Sequence, residues 1–207
     1  MTTTISLIRH GEVHNPQQIY YGRLPRFRLS ETGREQAAKQ ANTLPQAGIT
    51  AVFSSPLLRA RQTATIIAKQ LQTPLHISKL LLEAHTPHDG KPASELITKN
   101  WDLYTGSPPQ FEQPVDIKNR LLRLITRLRK QRAGQHVALV TPADCLVWIT
   151  LWAAQFPLTP QSKLDNLIKA GISNGFPTHA SRVTLQFGED LGEKRPFSLT
   201  YHPVVDA

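Results

Sequence analysis

Hydrophobic residues along the chain follow two spacings in alternation. Short apolar runs rich in β-branched residues predict strands, and longer segments with an apolar residue every three or four positions predict amphipathic helices. Ser30 is suited to cap the first helix, and Gly33 is tolerated near its start. The predicted strands are 3–8, 51–54, 75–78, 136–141, 182–187 and 197–201, and the predicted helices are 31–44, 56–71, 94–104, 117–132 and 142–155.

This alternation predicts an α/β fold. Strands separated by helices form a mostly parallel central sheet with helices on both faces, which gives a three-layer α/β/α architecture. The length of 207 residues predicts a single domain over residues 1–207. The segment 80–116 is rich in Pro, His and Gly and is too long to be a simple connector.

The composition is typical of a globular protein in water, with 40% hydrophobic and 19% charged residues. No apolar run reaches the roughly 18 residues that a membrane span needs. The first residues, Met-Thr-Thr-Thr, do not resemble a signal peptide. The one cysteine, Cys145, has no partner for an internal disulfide, which fits a reducing compartment. We therefore predict a cytoplasmic protein without a membrane span.

The formal net charge of +9 favours anionic ligands such as phosphate esters, nucleic acids or acidic membrane surfaces. Part of this charge lies in residues 118–132, where helical spacing gives one apolar and one basic face. Such a segment predicts a helix packed on the sheet with a solvated outer face. Because no aromatic residues interleave the basic ones, we do not expect nucleic-acid binding.

The first signal of a specific chemistry is the segment Arg9-His10-Gly11-Glu12. It follows the first predicted strand, and the carboxyl ends of strands in open α/β sheets border the ligand crevice. Histidine can act as a nucleophile, and arginine can hold an anion through two parallel hydrogen bonds. The segment therefore indicates phosphoryl chemistry on a histidine. The alternative is a strand end with two solvated polar residues.

Further motifs follow in an order that resembles the histidine phosphatase superfamily, also called phosphoglycerate mutase-like. The resemblance is dense over residues 4–83 and looser over 84–207, and it rests on Asn15, Gly22, Leu29-Ser30-Glu31-Thr32-Gly33-Arg34-Glu35-Gln36-Ala37 and Ser54-Ser55-Pro56-Leu57-Leu58-Arg59-Ala60-Arg61-Gln62-Thr63-Ala64. It implies the same three-layer fold. In the family the region equivalent to 80–116 is a cap that sets substrate choice. Its short length here is similar to the phosphatase branch, in particular α-ribazole-phosphate and broad-specificity phosphatases.

The resemblance also implies roles for single residues. His10 matches the nucleophile that becomes phosphohistidine, and Arg9 and Arg59 match the two arginines that clamp the phosphate. Asn15 matches a further hydrogen-bond donor to the phosphate. Glu83 matches the acid that protonates the leaving alcohol. The alternatives are a surface carboxylate for Glu83 and a solvated helix residue for Arg59.

One part of the family pattern is missing. The family strand equivalent to 136–141 is followed by a second catalytic histidine and a glycine, whereas this chain has Pro142 and Ala143. Proline has no side-chain donor and no backbone N–H. The local sequence instead predicts a helix start, with Thr141 as N-cap, Pro142 at the first position and Asp144 at the third. Asp144 then either turns onto the helix N-terminus or repels a phosphate dianion.

These observations favour a phosphomonoester hydrolase with a degenerate site, acting with reduced or altered activity on a small phosphorylated molecule. One alternative is a non-catalytic protein that binds a phosphorylated ligand or inorganic phosphate, and another is a basic-surface binding protein with a vestigial pocket. By position, His14, His85 and His88 are candidates to replace the missing imidazole. We expect no metal and no cofactor, because neither metal-ligand spacing nor a Gly-rich phosphate loop is present.

Overall fold

Six strands form one central sheet in the computed structural model of the chain, which describes residues 1–44 and 48–204. The strands are β1 (Thr3–Arg9), β2 (Ile49–Ser54), β3 (Leu75–Ile77), β4 (His136–Thr141), β5 (Arg182–Phe187) and β6 (Ser198–His202). Their order across the sheet is β3-β2-β4-β1-β5-β6. The pairs β3-β2, β2-β4 and β4-β1 are parallel, and β5 is antiparallel to both of its neighbours.

Helices cover both faces of this sheet. They are α1 (Glu31–Thr43), α2 (Leu58–Leu71), α3 (Ala93–Ile97), α4 (Pro114–Gln131), α5 (Ala143–Ala153) and α6 (Pro160–Asn166), and Lys79–Leu81 forms a single 3₁₀ turn. Helices α1 and α2 pack on one face, and α4 and α5 pack on the other. The predicted α/β architecture with a mostly parallel sheet is therefore confirmed.

Strand β4 shows how the sequence builds the layers. Val137 and Leu139 belong to the hydrophobic cluster shared with α4 and α5, whereas Ala138 and Val140 belong to the cluster shared with α1 and α2. All four side chains are fully buried. A strand that is buried on both faces has a continuous apolar sequence rather than an alternating one.

Two helices differ from the prediction. The helix predicted over 94–104 ends at Ile97, because Asn100 and Trp101 have φ angles of 50° and 55° and a helix does not continue through left-handed residues. Helix α6 was not predicted, although its start carries a recognisable signal. The Thr159 side chain caps it by accepting from the Ser162 backbone N–H at 3.1 Å, and Pro160 follows the cap.

Helix α5 begins one residue later than the capping pattern predicted. Its N-cap residue is Pro142, with ψ at 173°, and Ala143 is the first helical residue. Thr141 stays in β4, paired with Arg9 in β1, and its hydroxyl donates to the Leu81 carbonyl at 3.1 Å. The prediction of Thr141 as N-cap and Pro142 at the first helical position was wrong, because strand pairing holds Thr141 in the sheet.

Two glycines bring the end of β1 into backbone contact with α1. A Cβ atom on Gly11 would lie 2.2 Å from the Gly33 carbonyl oxygen, and one on Gly33 would lie 2.1 Å from the Glu12 carbonyl oxygen. Ser30 caps α1 by accepting from the Gly33 N–H at 3.0 Å, and it donates to the Glu12 carboxylate at 2.6 Å. This contact fixes the backbone directly after His10.

Replacing Gly33 by alanine is expected to destabilise the fold. In an ordinary helix this change stabilises by up to about 1 kcal/mol, but here the added carbon meets backbone, and such overpacking costs about 1–3 kcal/mol. Urea unfolding followed by circular dichroism measures the difference. Gly188→Ala is the matched control, since a Cβ there meets no atom within 4 Å; its effect should stay within about 0.5 kcal/mol. Equal stability of the two variants would contradict a role for the Gly11–Gly33 backbone contact in stability.

Candidate active site

A cavity of about 540 Å³ lies at the carboxyl ends of β1 and β4. Four of the residues that the sequence singled out line it, namely Arg9, His10, Asn15 and Glu83. Asp144 also lines it, close to the start of α5. The cavity is therefore in the position where α/β sheets bind ligands.

His10 is buried, with 1% of its surface exposed, and both ring nitrogens are occupied. The Nδ1 atom lies 2.7 Å from the Gly11 carbonyl oxygen, which can only accept, so Nδ1 carries the proton. The Nε2 atom accepts from Nε of Arg59 at 3.0 Å. Burial, followed by the charges of Arg59 and Arg9, lowers the pKa of His10 well below its usual value. The ring is neutral, and its Nε2 carries a lone pair.

Arg59 is fully buried near the start of α2. Besides its bond to His10, its Nη2 donates to the Gly22 carbonyl at 2.7 Å, and the guanidinium lies 4.6 Å from the centre of the Tyr21 ring. Its Nη1 has no hydrogen-bond partner, and within residues 1–44 and 48–204 no carboxylate forms an ion pair with it. Arg59 therefore has charged N–H capacity left for an anion next to His10.

Arg9 is partly buried at the end of β1 and is held by neutral groups. Its Nη1 donates to the Pro177 carbonyl at 2.7 Å, and its Nη2 lies 3.0 Å from Nε2 of His179. Its buried Nε has no partner among the described residues. Like Arg59, this guanidinium carries a positive charge that no carboxylate in the described part of the chain pairs with.

Sequence analysis missed His179. Its ring centre lies 6.1 Å from that of His10, and burial together with the charge of Arg9 lowers its pKa to about 3. The neutral imidazole of His179 accepts a hydrogen bond from the Arg9 guanidinium and helps to hold that guanidinium in place. No sequence pattern marks this residue, because it reaches the site only through the pairing of β5 with β1.

The three histidines that sequence analysis proposed as replacements do not reach the cavity. His14 and His85 are exposed, His88 is partly exposed, and none of the three lines the cavity. Asn15 does line it, but its amide is engaged locally. The Asn15 Nδ2 donates to the Ile19 carbonyl at 2.9 Å, and its Oδ1 accepts from the Ile19 N–H at 3.3 Å.

Glu83 follows the 3₁₀ turn, and only 7% of its surface is exposed. Its Oε1 accepts from the Ala84 backbone N–H at 2.9 Å. Burial raises the pKa of Glu83 to about 7, and the charge of Asp144 adds to the effect. A carboxyl group with this pKa can donate and accept a proton near neutral pH.

Asp144 resolves the alternatives that the sequence left open. Its Oδ2 accepts from the Tyr104 hydroxyl, and that hydroxyl in turn accepts from Nε1 of Trp148 at 2.8 Å. The carboxylate thus contacts Tyr104 and lines the cavity instead of capping the start of α5. It places a second carboxyl group in a cavity wall that also contains Glu83, Arg9 and Lys163.

The remaining wall is mostly apolar, and besides Ile19, Tyr20 and Tyr21 from the loop after β1 it includes residues of two later segments. Residues 80–116 contribute Trp101 and Leu103, and the segment around α6 contributes Lys163, Leu164 and Phe176. The buried Lys163 donates from Nζ to the Trp101 carbonyl at 2.5 Å, which ties the two segments together. Sequence analysis did not identify this lysine, because it did not predict the helix that carries it.

Neither a metal cluster nor a membrane helix was found in the part of the chain that the structure describes. Residues 1–44 and 48–204 contain no group of three or more His, Cys, Asp or Glu side chains that could hold a metal ion. Over the same residues, no helix is both long and apolar enough to cross a membrane.

Several relatives of the chain are named as phosphatases. The chain is 35% identical over 182 residues to fructose-2,6-bisphosphatase TIGAR of Mus musculus, covering 81% of this chain and 67% of that protein. It is 37% identical over 148 residues to an uncharacterized protein of Mycobacterium tuberculosis, covering 67% and 72%. The relatives that are named as phosphatases support a phosphatase function.

Solved structures show the same fold. The mycobacterial glucosyl-3-phosphoglycerate phosphatase matches with a TM-score of 0.74 at 21% identity over 97% of both chains. The alpha-ribazole phosphatase from Shigella flexneri matches with a TM-score of 0.70 at 21% identity, over 97% of this chain and 95% of that one. The family model for the histidine phosphatase superfamily (branch 1) matches residues 5–173. The chain therefore belongs to branch 1 of the histidine phosphatase superfamily.

Proposed function

We propose that the protein hydrolyses small phosphomonoesters through a phosphohistidine on His10. The observation that carries this proposal is the buried Arg59 beside His10. Its Nε donates to the lone pair of His10 Nε2 at 3.0 Å, while its Nη1 has no partner. A buried guanidinium with an unsatisfied N–H needs an anion, and a phosphoryl group placed there lies next to a neutral nucleophile.

The first half of the reaction forms the phosphohistidine. The lone pair of His10 Nε2 attacks phosphorus as the bond from phosphorus to the ester oxygen breaks. Glu83 gives its proton to that oxygen, so the product leaves as a neutral alcohol. Arg9 and Arg59 stabilise the negative charge on the remaining phosphoryl oxygens. Their positive charges act most strongly in a cavity from which water is excluded.

The second half regenerates the enzyme. The Glu83 carboxylate takes a proton from a water molecule, whose oxygen attacks phosphorus while the bond to Nε2 breaks. Inorganic phosphate leaves, His10 regains its lone pair, and Glu83 is again protonated. A pKa of about 7 suits both of these proton transfers.

The proposal also includes a cap that sets substrate choice and a cytoplasmic location. Residues 80–116 supply Trp101 and Leu103 to the cavity wall, which supports a cap that sets substrate choice within one domain over residues 1–207. The single cysteine, Cys145, is buried and unpaired, which supports a cytoplasmic location.

A second candidate is a protein that binds a phosphorylated ligand without turning it over. Pro142 and Asp144 favour it, because one replaces an imidazole and the other adds a negative charge. Loss of one preorganised donor costs about 10²–10³ in rate. Enzymes accelerate their reactions by about 10⁶ or more, so the remaining groups of the site still suffice for slow turnover. We therefore keep hydrolysis as the principal proposal.

The variant His10→Ala is expected to abolish turnover on a panel of phosphomonoesters, because it removes the covalent route. The wild type should become labelled by a radioactive phosphomonoester, and the label should be absent from the variant. His76→Ala is the matched control, since His76 is exposed on β3. Vanadate binding without turnover in the wild type would favour the second candidate. Salt-dependent polyanion binding that His10→Ala leaves unchanged would favour a basic-surface binding protein.

The variant Glu83→Gln is expected to slow alkyl phosphates more than aryl phosphates. General acid catalysis contributes about 10²–10⁴, and it matters most for alkoxides because they are poor leaving groups. Steady-state rates with matched nitrophenyl and alkyl esters measure this difference. Equal slowing of the two esters would show that Glu83 is not the acid.

The double variant Pro142→His with Ala143→Gly is expected to raise turnover by about 10²-fold or more, the scale of one restored electrostatic donor. The gain should vanish in a His10→Ala background, because both groups would serve one intermediate. Comparison of kcat/KM in these backgrounds measures it. A folded variant that binds vanadate but shows no gain would exclude the missing histidine as the cause of low activity.

A further inference from the structure

We propose that Asp144 is a positioning residue that keeps a proton on Glu83, so that the two carboxyl groups share one proton near neutral pH and the site binds phosphate in that state. The catalytic part of this inference rests on the proposed function. Its binding part does not, because a protein that binds phosphate without hydrolysing it would show the same proton coupling.

In both Glu83 and Asp144, one carboxyl oxygen accepts a hydrogen bond and the other is available to the cavity that the two side chains share. Glu83 Oε1 accepts from the Ala84 N–H, and Asp144 Oδ2 accepts from the Tyr104 hydroxyl. Among the described residues, Glu83 Oε2 and Asp144 Oδ1 have no hydrogen-bond partner. Both side chains are more than nine-tenths buried and line the same cavity. Two carboxylates in such a space do not both ionise readily.

The other titratable and charged groups around Glu83 do not replace Asp144 in this role. They are Arg9 on β1, Tyr20 in the following loop, Arg59 on α2, Arg120 on α4 and Cys145 on α5. Burial raises the pKa of the Cys145 thiol to about 11 and that of Tyr20 well above its usual value, so both are neutral. The three arginines favour ionised Glu83. Asp144 is thus the neighbouring negative charge that opposes them.

The two carboxyl groups differ in their hydrogen-bond donors. The Tyr104 hydroxyl donates to Asp144, and Trp148 Nε1 donates to the Tyr104 oxygen at 2.8 Å, which orients that hydroxyl. Donation to a carboxylate stabilises its charged form. Glu83 receives one backbone N–H, and burial together with the Asp144 charge raises its pKa to about 7. The proton therefore resides mainly on Glu83.

The proton on Glu83 matters for binding because Pro142 offers a ligand no hydrogen bond. A second imidazole would bring hydrogen-bonding capacity to the phosphate, and Pro142 brings none. A phosphate dianion that enters the cavity meets one carboxylate charge when Glu83 is protonated and two when it is not. Ligand binding is therefore strongest below the pKa of Glu83, and above that pKa binding takes up a proton.

The test is the affinity for inorganic phosphate and for vanadate as a function of pH. Wild-type affinity, expressed per ligand dianion, is expected to fall as pH rises through about 7, where Glu83 loses its proton. Asp144→Asn should bind more tightly overall and should move the midpoint of this fall down by about one pH unit, the effect of one removed like charge. Glu83→Gln should not show this fall in affinity, because glutamine has no carboxyl proton to lose. Ionisation of the ligand itself is common to all variants and cancels in the comparison.

Asp165→Asn is the matched control. Asp165 is exposed on α6, two residues from the cavity-lining Lys163, so its neutralisation should leave the midpoint unchanged. An equal midpoint in wild type and Asp144→Asn would overturn the proposal and leave Asp144 as a structural residue. If turnover is detected, the alkaline limb of kcat/KM should shift in the same direction. If turnover is absent, the proposed hydrolysis fails while the binding titration still decides this inference.

A second variant and a direct measurement cover the case in which Asp144→Asn does not fold. Tyr104→Phe removes the donor to Asp144, which makes the Asp144 anion less stable, so the midpoint should rise rather than fall. Infrared spectra near pH 7 should show the C=O stretch of a protonated carboxylic acid in the wild type that is lost in Glu83→Gln. Absence of that band in the wild type, or an unchanged midpoint in Tyr104→Phe, would contradict a shared proton.

Discussion

The site depends on a guanidinium that is buried without a carboxylate. Taking such a charge out of water costs several kcal/mol unless other groups replace the water. Arg59 has partial replacements, namely a ring nitrogen of His10, the Gly22 carbonyl and the face of Tyr21. Its Nη1 has no partner among the described residues, which favours the anion that we propose binds there. The same contact that limits the cost of burying Arg59 also orients His10, so the proposed anion binding and the orientation of the proposed nucleophile have one physical origin.

The fold places these groups by means of strand ends and backbone contact. Parallel pairing of β1 with β4 brings Arg9 next to Thr141, and the antiparallel pairing of β1 with β5 brings His179 behind Arg9. The Gly11–Gly33 contact holds the turn after His10 against α1. Because all of these anchors are backbone interactions, the site can change a side chain such as the one at position 142 and keep its geometry.

Sequence analysis predicted the parts of the molecule that local patterns encode. The apolar runs identified the strands, and Arg9, His10 and Glu83, which the motif indicated, line one cavity. It missed His179 and Lys163, since tertiary packing alone brings His179 to Arg9 and Lys163 to the cavity wall. It also placed the start of α5 one residue too early, because a capping pattern does not report that a strand partner holds Thr141.

Pro142 and Asp144 are best understood as one change in the charge of the cavity. A proline alone removes a group that binds phosphate, and an aspartate alone repels phosphate. With Glu83 protonated, as we propose, the cavity is lined by one carboxylate, Arg9 and Lys163, and Arg59 lies next to it in contact with His10. On our proposal that balance still favours an anion, but it makes the affinity for the anion sensitive to the proton on Glu83. Under the proposed function, a site with Pro142 has no second imidazole to contact phosphate, and the proton on Glu83 determines how well phosphate binds.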